Sequence, residues 1–90
     1  MSKKLFILRP EESSIASPWD PWYDKAFGFI VRAESVAVAR SIAHHNAGDE
    51  NNETYEGCKI FPWLDDRFSS CEELSTSGEE GLIMRDFHAA

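Results

Sequence analysis

A chain of 90 residues, 42% hydrophobic and with three tryptophans, suits one folded domain over residues 1–90 rather than a disordered segment. Its net charge of −7 disfavours direct binding to nucleic acid, because contact with phosphates needs a basic surface. The sequence has no run of about 18 apolar residues that would span a membrane, and its first apolar stretch is too short for a signal peptide. We therefore expect a cytoplasmic protein that does not bind membranes.

The first predicted element is a strand over the continuous apolar run KLFILR, residues 4–9, which ends at a proline. Because consecutive side chains point to opposite faces, an unbroken apolar run indicates a strand covered on both faces. We expect this strand to lie at the centre of the sheet.

The connection that follows, residues 10–25, is rich in proline and in aromatic residues. Its three prolines exclude regular structure through most of its length. Trp19, Trp22 and Tyr23 lie close together within it. Two interpretations remain open: the rings cover the edge of the core, or they form a binding hot spot for a partner, where Trp and Tyr are common.

A second predicted strand runs directly into the main helix. The alternating residues Phe27, Phe29, Val31 and Ala33 place one apolar face on the strand. Ser35 is a good N-cap for a helix over about 35–47. The residues Val36, Val38, Ala39, Ile42 and Ala43 recur at spacings of three and four, which predicts one apolar stripe against the sheet. Gly48 is expected to take the left-handed conformation that ends many helices.

The second half of the chain predicts shorter elements. Residues 49–57 are polar and turn-rich, which favours a loop, and residues 58–63 predict a short edge strand limited by a proline. Residues 71–74 and 82–87 are expected to form a hairpin, with the second arm inside the sheet. The predicted fold class is α+β: a roughly four-stranded antiparallel or mixed sheet with one main helix packed on one face.

Negative charge is concentrated in this second half. Residues 49–90 hold eleven acidic and three basic residues, whereas residues 1–48 hold five acidic and six basic residues. Five acidic doublets stand out: Glu11-Glu12, Asp49-Glu50, Asp65-Asp66, Glu72-Glu73 and Glu79-Glu80. They are either a solvated surface that keeps a small domain soluble, or an array of carboxylates that imitates the phosphates of nucleic acid.

No residue spacing indicates a catalytic, metal or cofactor site. Cys58 and Cys71 are expected to be free thiols, and no C-x-x-C pair is present. His44 and His45 are adjacent, rather than three to five residues apart as zinc ligands usually are. A nucleophile pair of Cys71 with His88 is disfavoured, because His88 lies two residues from the end of the sequence. We expect no enzyme activity, no metal and no cofactor.

Two stretches resemble small accessory proteins encoded by phages and prophages. They are PWYDKAFGFIVRAES at residues 21–35, with the A-R-x-I-A pattern of residues 39–43, and the ending SSCEEL…GEEGLIMRDF of residues 69–87. The resemblance implies a phage-type accessory protein acting in the cytoplasm of a bacterial host cell. Small acidic proteins of this kind are often inhibitors of host defence, of which anti-CRISPR proteins are the best-known class.

The expected function is a non-enzymatic, acidic binding protein that blocks a basic, nucleic-acid-binding surface of a host protein. The residues expected to contact this partner are Trp19, Trp22, Tyr23, Asp65, Asp66, Glu72, Glu73, Glu79 and Glu80. One alternative is a structural or regulatory phage protein that self-associates as a homodimer through the aromatic connection. Another is a small ligand-binding domain or hydrolase.

Overall fold

A three-stranded antiparallel sheet lies at the centre of the fold in the computed structural model of this chain. The structure describes residues 3–11, 19, 24–83 and 85. Its elements, in chain order, are β1 (Lys4–Pro10), β2 (Phe29–Ala33), α1 (Val36–His45), a 3-10 helix (Asp49–Asn52), β3 (Thr54–Tyr55), β4 (Cys58–Lys59) and β5 (Ser69–Leu74). The fold is therefore α+β, as predicted.

β1 is the central strand, in agreement with its continuous apolar run. It pairs antiparallel with β2 on one side and with β5 on the other, so that Phe6 lies opposite both Val31 and Glu73. Phe6 and Leu8 are buried in the core, and Ile7, on the opposite face, is buried as well. Burial on both faces keeps this strand in the middle of the sheet.

α1 begins where the sequence predicts, but it buries a narrower face. Ser35 Oγ accepts a hydrogen bond from the N–H of Val38 at 3.3 Å, which confirms the N-cap. Ala39 and Ala43 are fully buried, whereas Val38 and Ile42 remain 44% and 38% exposed. The predicted apolar stripe therefore packs against the sheet through its two alanines, and its larger side chains Val36, Val38 and Ile42 stay partly exposed.

The core combines residues of the sheet, the helix and one aromatic side chain from the second half. Its buried members are Phe6, Leu8, Val31, Ala33, Ala39, Ala43 and Trp63. The Trp63 ring meets the Phe29 ring edge-to-face, with centroids 4.8 Å apart. This geometry is favourable for aromatic pairs, and it fixes the segment before β5 against the sheet.

The segment after α1 is more regular than the predicted loop. Asp49–Asn52 forms a 3-10 helix, and β3 and β4 form a two-stranded antiparallel hairpin. The turn between them places Glu56 and Gly57 at φ values of 51° and 79°, as tight hairpin turns require. The strand predicted over residues 58–63 is therefore reduced to two residues, and it pairs within this small hairpin.

Gly48 does not have the predicted left-handed conformation, since its φ is −111°. The glycine is required for another reason: a Cβ atom at this position would overlap the backbone carbonyl oxygen of Asp24. That oxygen accepts a hydrogen bond of 2.7 Å from the N–H of Asp49. The close approach of two chain segments, rather than a helix cap, explains this residue.

The predicted hairpin partner of β5 is absent from the described part of the chain. Leu82 and Ile83 lie outside any strand and are 78% and 76% exposed, so their expected place inside the sheet is wrong. Residues 84, 86 and 87 lie outside the described residues. The predicted sheet of about four strands is corrected to a three-stranded sheet with a separate two-stranded hairpin. Within the described ranges, no helix has the length and apolarity needed to cross a membrane.

Candidate functional site

Trp19, predicted as a partner contact, lies half-buried against the core. Its indole N–H donates to the carbonyl oxygen of Phe68 at 2.8 Å, and its ring packs edge-to-face on Trp63 at 4.9 Å between centroids. These contacts support the interpretation that this ring covers the core. Trp22 and Tyr23 lie outside the described residues, so the hot-spot interpretation of the aromatic connection stays a prediction.

The acidic doublets are not all on the surface of the protein, because Glu50 lies in its interior. Its side chain is fully buried. Its Oε1 atom accepts hydrogen bonds from the N–H groups of Ala26 at 3.1 Å and Gly48 at 3.0 Å, and its Oε2 atom accepts one from Trp63 Nε1 at 2.5 Å. A carboxylate with three N–H donors is well satisfied inside a protein, so Glu50 has a structural role.

Asp65 and Asp66 line an open pocket of about 510 Å³ that also contains positive charge. Its lining residues are Arg40, Lys59, Ile60, Phe61, Leu64, Asp65, Asp66 and Arg67. Arg67 binds Asp65 through two atoms, Nη2 at 2.8 Å from Oδ2 and Nε at 3.1 Å from Oδ1. The hydrogen bond from Arg67 is the main reason that the pKa of Asp65 lies below its ordinary value. The basic residues Arg40, Lys59 and Arg67 in the lining therefore offset the negative charge of this doublet.

Arg40 lies on α1, and its side chain forms hydrogen bonds that connect the helix to Trp63 and to the start of β5. Its Nη1 atom donates to the carbonyl oxygen of Trp63 at 2.9 Å and to Ser69 Oγ at 2.8 Å. Its Nη2 atom donates to the carbonyl oxygen of Ser69 at 3.0 Å. No local pattern could reveal this role, because the two partners lie 23 and 29 residues away.

Glu72 and Glu73 are neighbours on β5, so their side chains lie on opposite faces of the sheet. Both are exposed. Glu73 is 3.5 Å from the ammonium group of Lys4, with both side chains about half-exposed. Within the described residues Glu72 has no ion pair. Among the described residues β5 is an edge strand, so both carboxylates lie beside a side of the strand that no other described strand covers.

Glu79 and Glu80 lie in the chain that continues from β5, and both are exposed. The structure gives them no ion pair among the residues it describes. No lysine or arginine is present in residues 72–80. We call the residues Glu72, Glu73, Glu79 and Glu80 the acidic segment. Of the predicted contact residues, these four are exposed carboxylates with little or no compensation by basic side chains.

Cys58 is exposed and Cys71 is half-buried, and both are free thiols, as predicted. Burial raises the pKa of the Cys71 thiol, and the nearby positive charge of Arg40 partly opposes that shift. In the described part of the chain, no three His, Cys, Asp or Glu side chains are grouped as metal ligands would be. Comparison of the chain with protein-family models, with curated proteins and with solved structures found no match.

Proposed function

We propose that this chain is a non-enzymatic binding protein that places its acidic segment against a basic, nucleic-acid-binding surface of a host protein and blocks it. The observation that supports this proposal best is the exposure of four carboxylates that form one ion pair with the residues the structure describes, between Glu73 and the exposed Lys4. An exposed pair of this kind neutralises little charge, because water and salt screen it. The acidic segment therefore keeps its negative field.

That field acts first on the encounter between the two proteins. Exposed charges attract a basic partner over a Debye length of about 8 Å at physiological salt. Complementary charge raises the association rate more than it slows dissociation. A protein with this segment competes with phosphate groups for a basic surface, since both present closely spaced negative charge.

Apolar side chains adjacent to the acidic segment favour a contact that persists after the encounter. Leu82 and Ile83 follow Glu80 within three residues, and both are more than three-quarters exposed. Burying large apolar side chains at the centre of an interface slows dissociation. Trp22 and Tyr23 remain predicted aromatic contacts of the same complex.

The biological setting that we propose is counter-defence by a phage, in the cytoplasm of a bacterial cell. The support is the resemblance of residues 21–35 and 69–87 to small phage proteins, together with the net charge of −7. An inhibitor of the anti-CRISPR type would act by occupying the surface that its target uses to hold nucleic acid. Such a target is basic, which fits an acidic inhibitor.

The test is affinity capture from a nuclease-treated lysate of a bacterial host, followed by identification of the bound proteins. Three baits are compared: the natural chain, a variant with Glu72, Glu73, Glu79 and Glu80 changed to Gln, and a matched control. The control neutralises four exposed carboxylates elsewhere: Glu11→Gln, Asp24→Asn, Glu34→Gln and Glu56→Gln.

We expect a basic nucleic-acid-binding protein to bind the natural chain and the control, and to be lost from the first variant. Association with the purified partner at low salt should slow about ten-fold in that variant, because steering by charge acts on the encounter. Equal capture by both variants, or capture of partners without a basic surface, would contradict the proposal.

A further inference from the structure

β5 pairs with β1 along one side, and its other side is open within the described residues. Just before β5, the N–H of Glu11 donates to the carbonyl oxygen of Phe68 at 2.9 Å. Because hydrogen-bonded and non-hydrogen-bonded pairs alternate along an antiparallel ladder, every second residue of β5 directs its backbone groups towards β1. These residues are Ser70, Glu72 and Leu74, whereas Ser69, Cys71 and Glu73 direct theirs outward.

The contacts of Ser69 agree with this assignment. Its N–H donates to the carbonyl oxygen of Asp65 at 3.1 Å, and its own carbonyl oxygen accepts from Arg40 at 3.0 Å, so neither group bonds to β1. The residue opposite Ser69 on β1 is Pro10, which has no N–H to donate. Further along, the outward N–H and carbonyl groups of Cys71 and Glu73 have no partner in the described part of the chain.

The carboxylates of Glu72 and Glu73 lie beside these unpaired backbone groups. Their positions indicate the direction from which one partner could contact both carboxylates. Glu72 and Glu73 point to opposite faces of the sheet, so a partner on either face contacts one of them. A chain that runs along the edge of β5 has one carboxylate on each side. Edge-on binding is therefore the arrangement that uses the whole Glu72-Glu73 doublet.

We propose that the outer edge of β5 binds an extended basic segment of the partner, which adds a strand beside Cys71 and Glu73. Main-chain hydrogen bonds to these two residues would hold the segment, and lysine or arginine side chains on its two faces would meet Glu72 and Glu73. This inference rests on the proposed function, because it specifies which part of the basic partner is recognised.

A second copy of this chain is a poor occupant of the same edge. The antiparallel register that uses all the free backbone groups of two β5 strands pairs Cys71 of one copy with Glu73 of the other. That register places the Glu72 side chains of the two copies directly opposite each other, and like charges in that position are destabilising. The Glu72-Glu73 doublet thus selects a basic strand over self-pairing.

The test uses the full chain, labelled with ¹⁵N, and two capped seven-residue peptides of Val and Thr. One peptide has two adjacent lysines at its centre, and the other has two glutamines there. The basic peptide should slow amide hydrogen exchange at Cys71 and Glu73 about ten-fold or more, and leave the inward amides of Ser70 and Glu72 nearly unchanged.

The affinity of the basic peptide should fall about five-fold in a Glu72→Gln, Glu73→Gln variant, and the glutamine peptide should bind the natural chain about five-fold more weakly. A Glu34→Gln, Glu56→Gln variant has the same charge change at two exposed residues away from β5, and its affinity should change less than about two-fold.

Three results would overturn the inference: no saturable binding of the basic peptide, binding without protection of the Cys71 and Glu73 amides, or protection that grows with protein concentration when no peptide is present. The last result would identify a second copy as the occupant. These measurements need no host partner, so a negative result here can be distinguished from a negative result in the lysate capture. A captured partner that leaves both amides unprotected would contradict the edge inference and retain the proposed function.

Discussion

The indole Nε1 of Trp63 donates a hydrogen bond of 2.5 Å to Oε2 of Glu50, between two side chains that have no exposed surface. The other oxygen of the same carboxylate accepts from the N–H groups of Ala26 and Gly48. Glu50 therefore connects the chain before β2, the end of the helical region and the segment before β5. The three N–H donors stabilise the buried carboxylate, and without it they would themselves lack an acceptor.

Glu50→Gln should destabilise the fold by about 2–4 kcal/mol, although the side chain keeps its shape. The amide has one acceptor oxygen, so its NH₂ group must face an N–H donor that the carboxylate satisfied. Urea unfolding followed by tryptophan fluorescence gives the free energy of unfolding. Glu56→Gln is the matched control, because Glu56 is exposed, and it should change stability by less than about 0.5 kcal/mol. Similar stabilities for the two variants would contradict the structural role of Glu50.

Gly48→Ala should cost about 2 kcal/mol or more, because the added methyl group overlaps the carbonyl oxygen of Asp24 and forces backbone to move. Gly81→Ala makes the same change where no atom lies within 4 Å of the new Cβ atom. The melting temperature of each variant, measured by circular dichroism, should fall clearly for Gly48→Ala alone. If both variants have the melting temperature of the natural chain, then Gly48 does not lie close to the backbone of Asp24.

Ala43→Asp should unfold the domain or cost about 3 kcal/mol or more, because it buries an unpaired carboxylate between α1 and the sheet. Ala37→Asp introduces the same side chain on the exposed face of the same helix, where it should be well tolerated. Circular dichroism melts of the two variants separate these outcomes. A cooperative transition of Ala43→Asp within a few degrees of the natural chain would show that the opposite face of α1 is buried.

Arg67→Gln should raise the pKa of Asp65 towards its ordinary value, because the main cause of its depression is the hydrogen bond from Arg67. A carboxyl group with a lowered pKa in the folded state stabilises the fold above its unfolded pKa of about 3.9. That contribution is lost as the pH falls through the lower, folded pKa. The variant should therefore lose a small stability increment above about pH 4, and the difference should vanish at lower pH.

The measurement for Arg67→Gln is an NMR titration of the Asp65 carboxyl carbon, with Arg32→Gln as the control. Arg32 is exposed on β2, away in sequence from this ion pair. Its substitution should leave the Asp65 titration in place. An unchanged Asp65 midpoint in Arg67→Gln would exclude the bidentate contact as the cause of the lowered pKa.

Cys58 should react with iodoacetamide faster than Cys71 in the folded protein at pH 8. Cys58 is exposed, whereas Cys71 is half-buried and has a raised pKa, so less of its thiol is the reactive thiolate at that pH. Mass spectrometry of digested samples over time gives both rates. In urea the two rates should become similar, since burial is removed. Faster labelling of Cys71 in the folded state would contradict its placement.

Local residue patterns were sufficient to predict a strand or helix when its contacts are close in sequence or when both of its faces are buried. The continuous apolar run of β1 determined its central place, because it can be covered on both faces only inside a sheet. Ser35 determined the start of α1 through a contact three residues away, and alternation determined which face of β2 enters the core. These features follow from the geometry of a single strand or helix.

The arrangement of charge was decided by the tertiary structure alone. In the sequence, Glu50, Asp65 and Glu72 are equivalent members of acidic doublets. In the fold, the first is buried among N–H donors, the second is bound by an arginine, and the third is exposed on an edge strand.

The groups that distinguish these carboxylates, and those that fix Arg40, come mostly from distant parts of the chain. Trp63 lies 13 residues from Glu50 and Ala26 lies 24 residues from it, while Ser69 lies 29 residues from Arg40. A periodic pattern records what a residue meets within one turn or one strand. Contacts over these separations exist only after the sheet and helix have packed, so the acidic edge of β5 emerges from the fold and not from the doublets themselves.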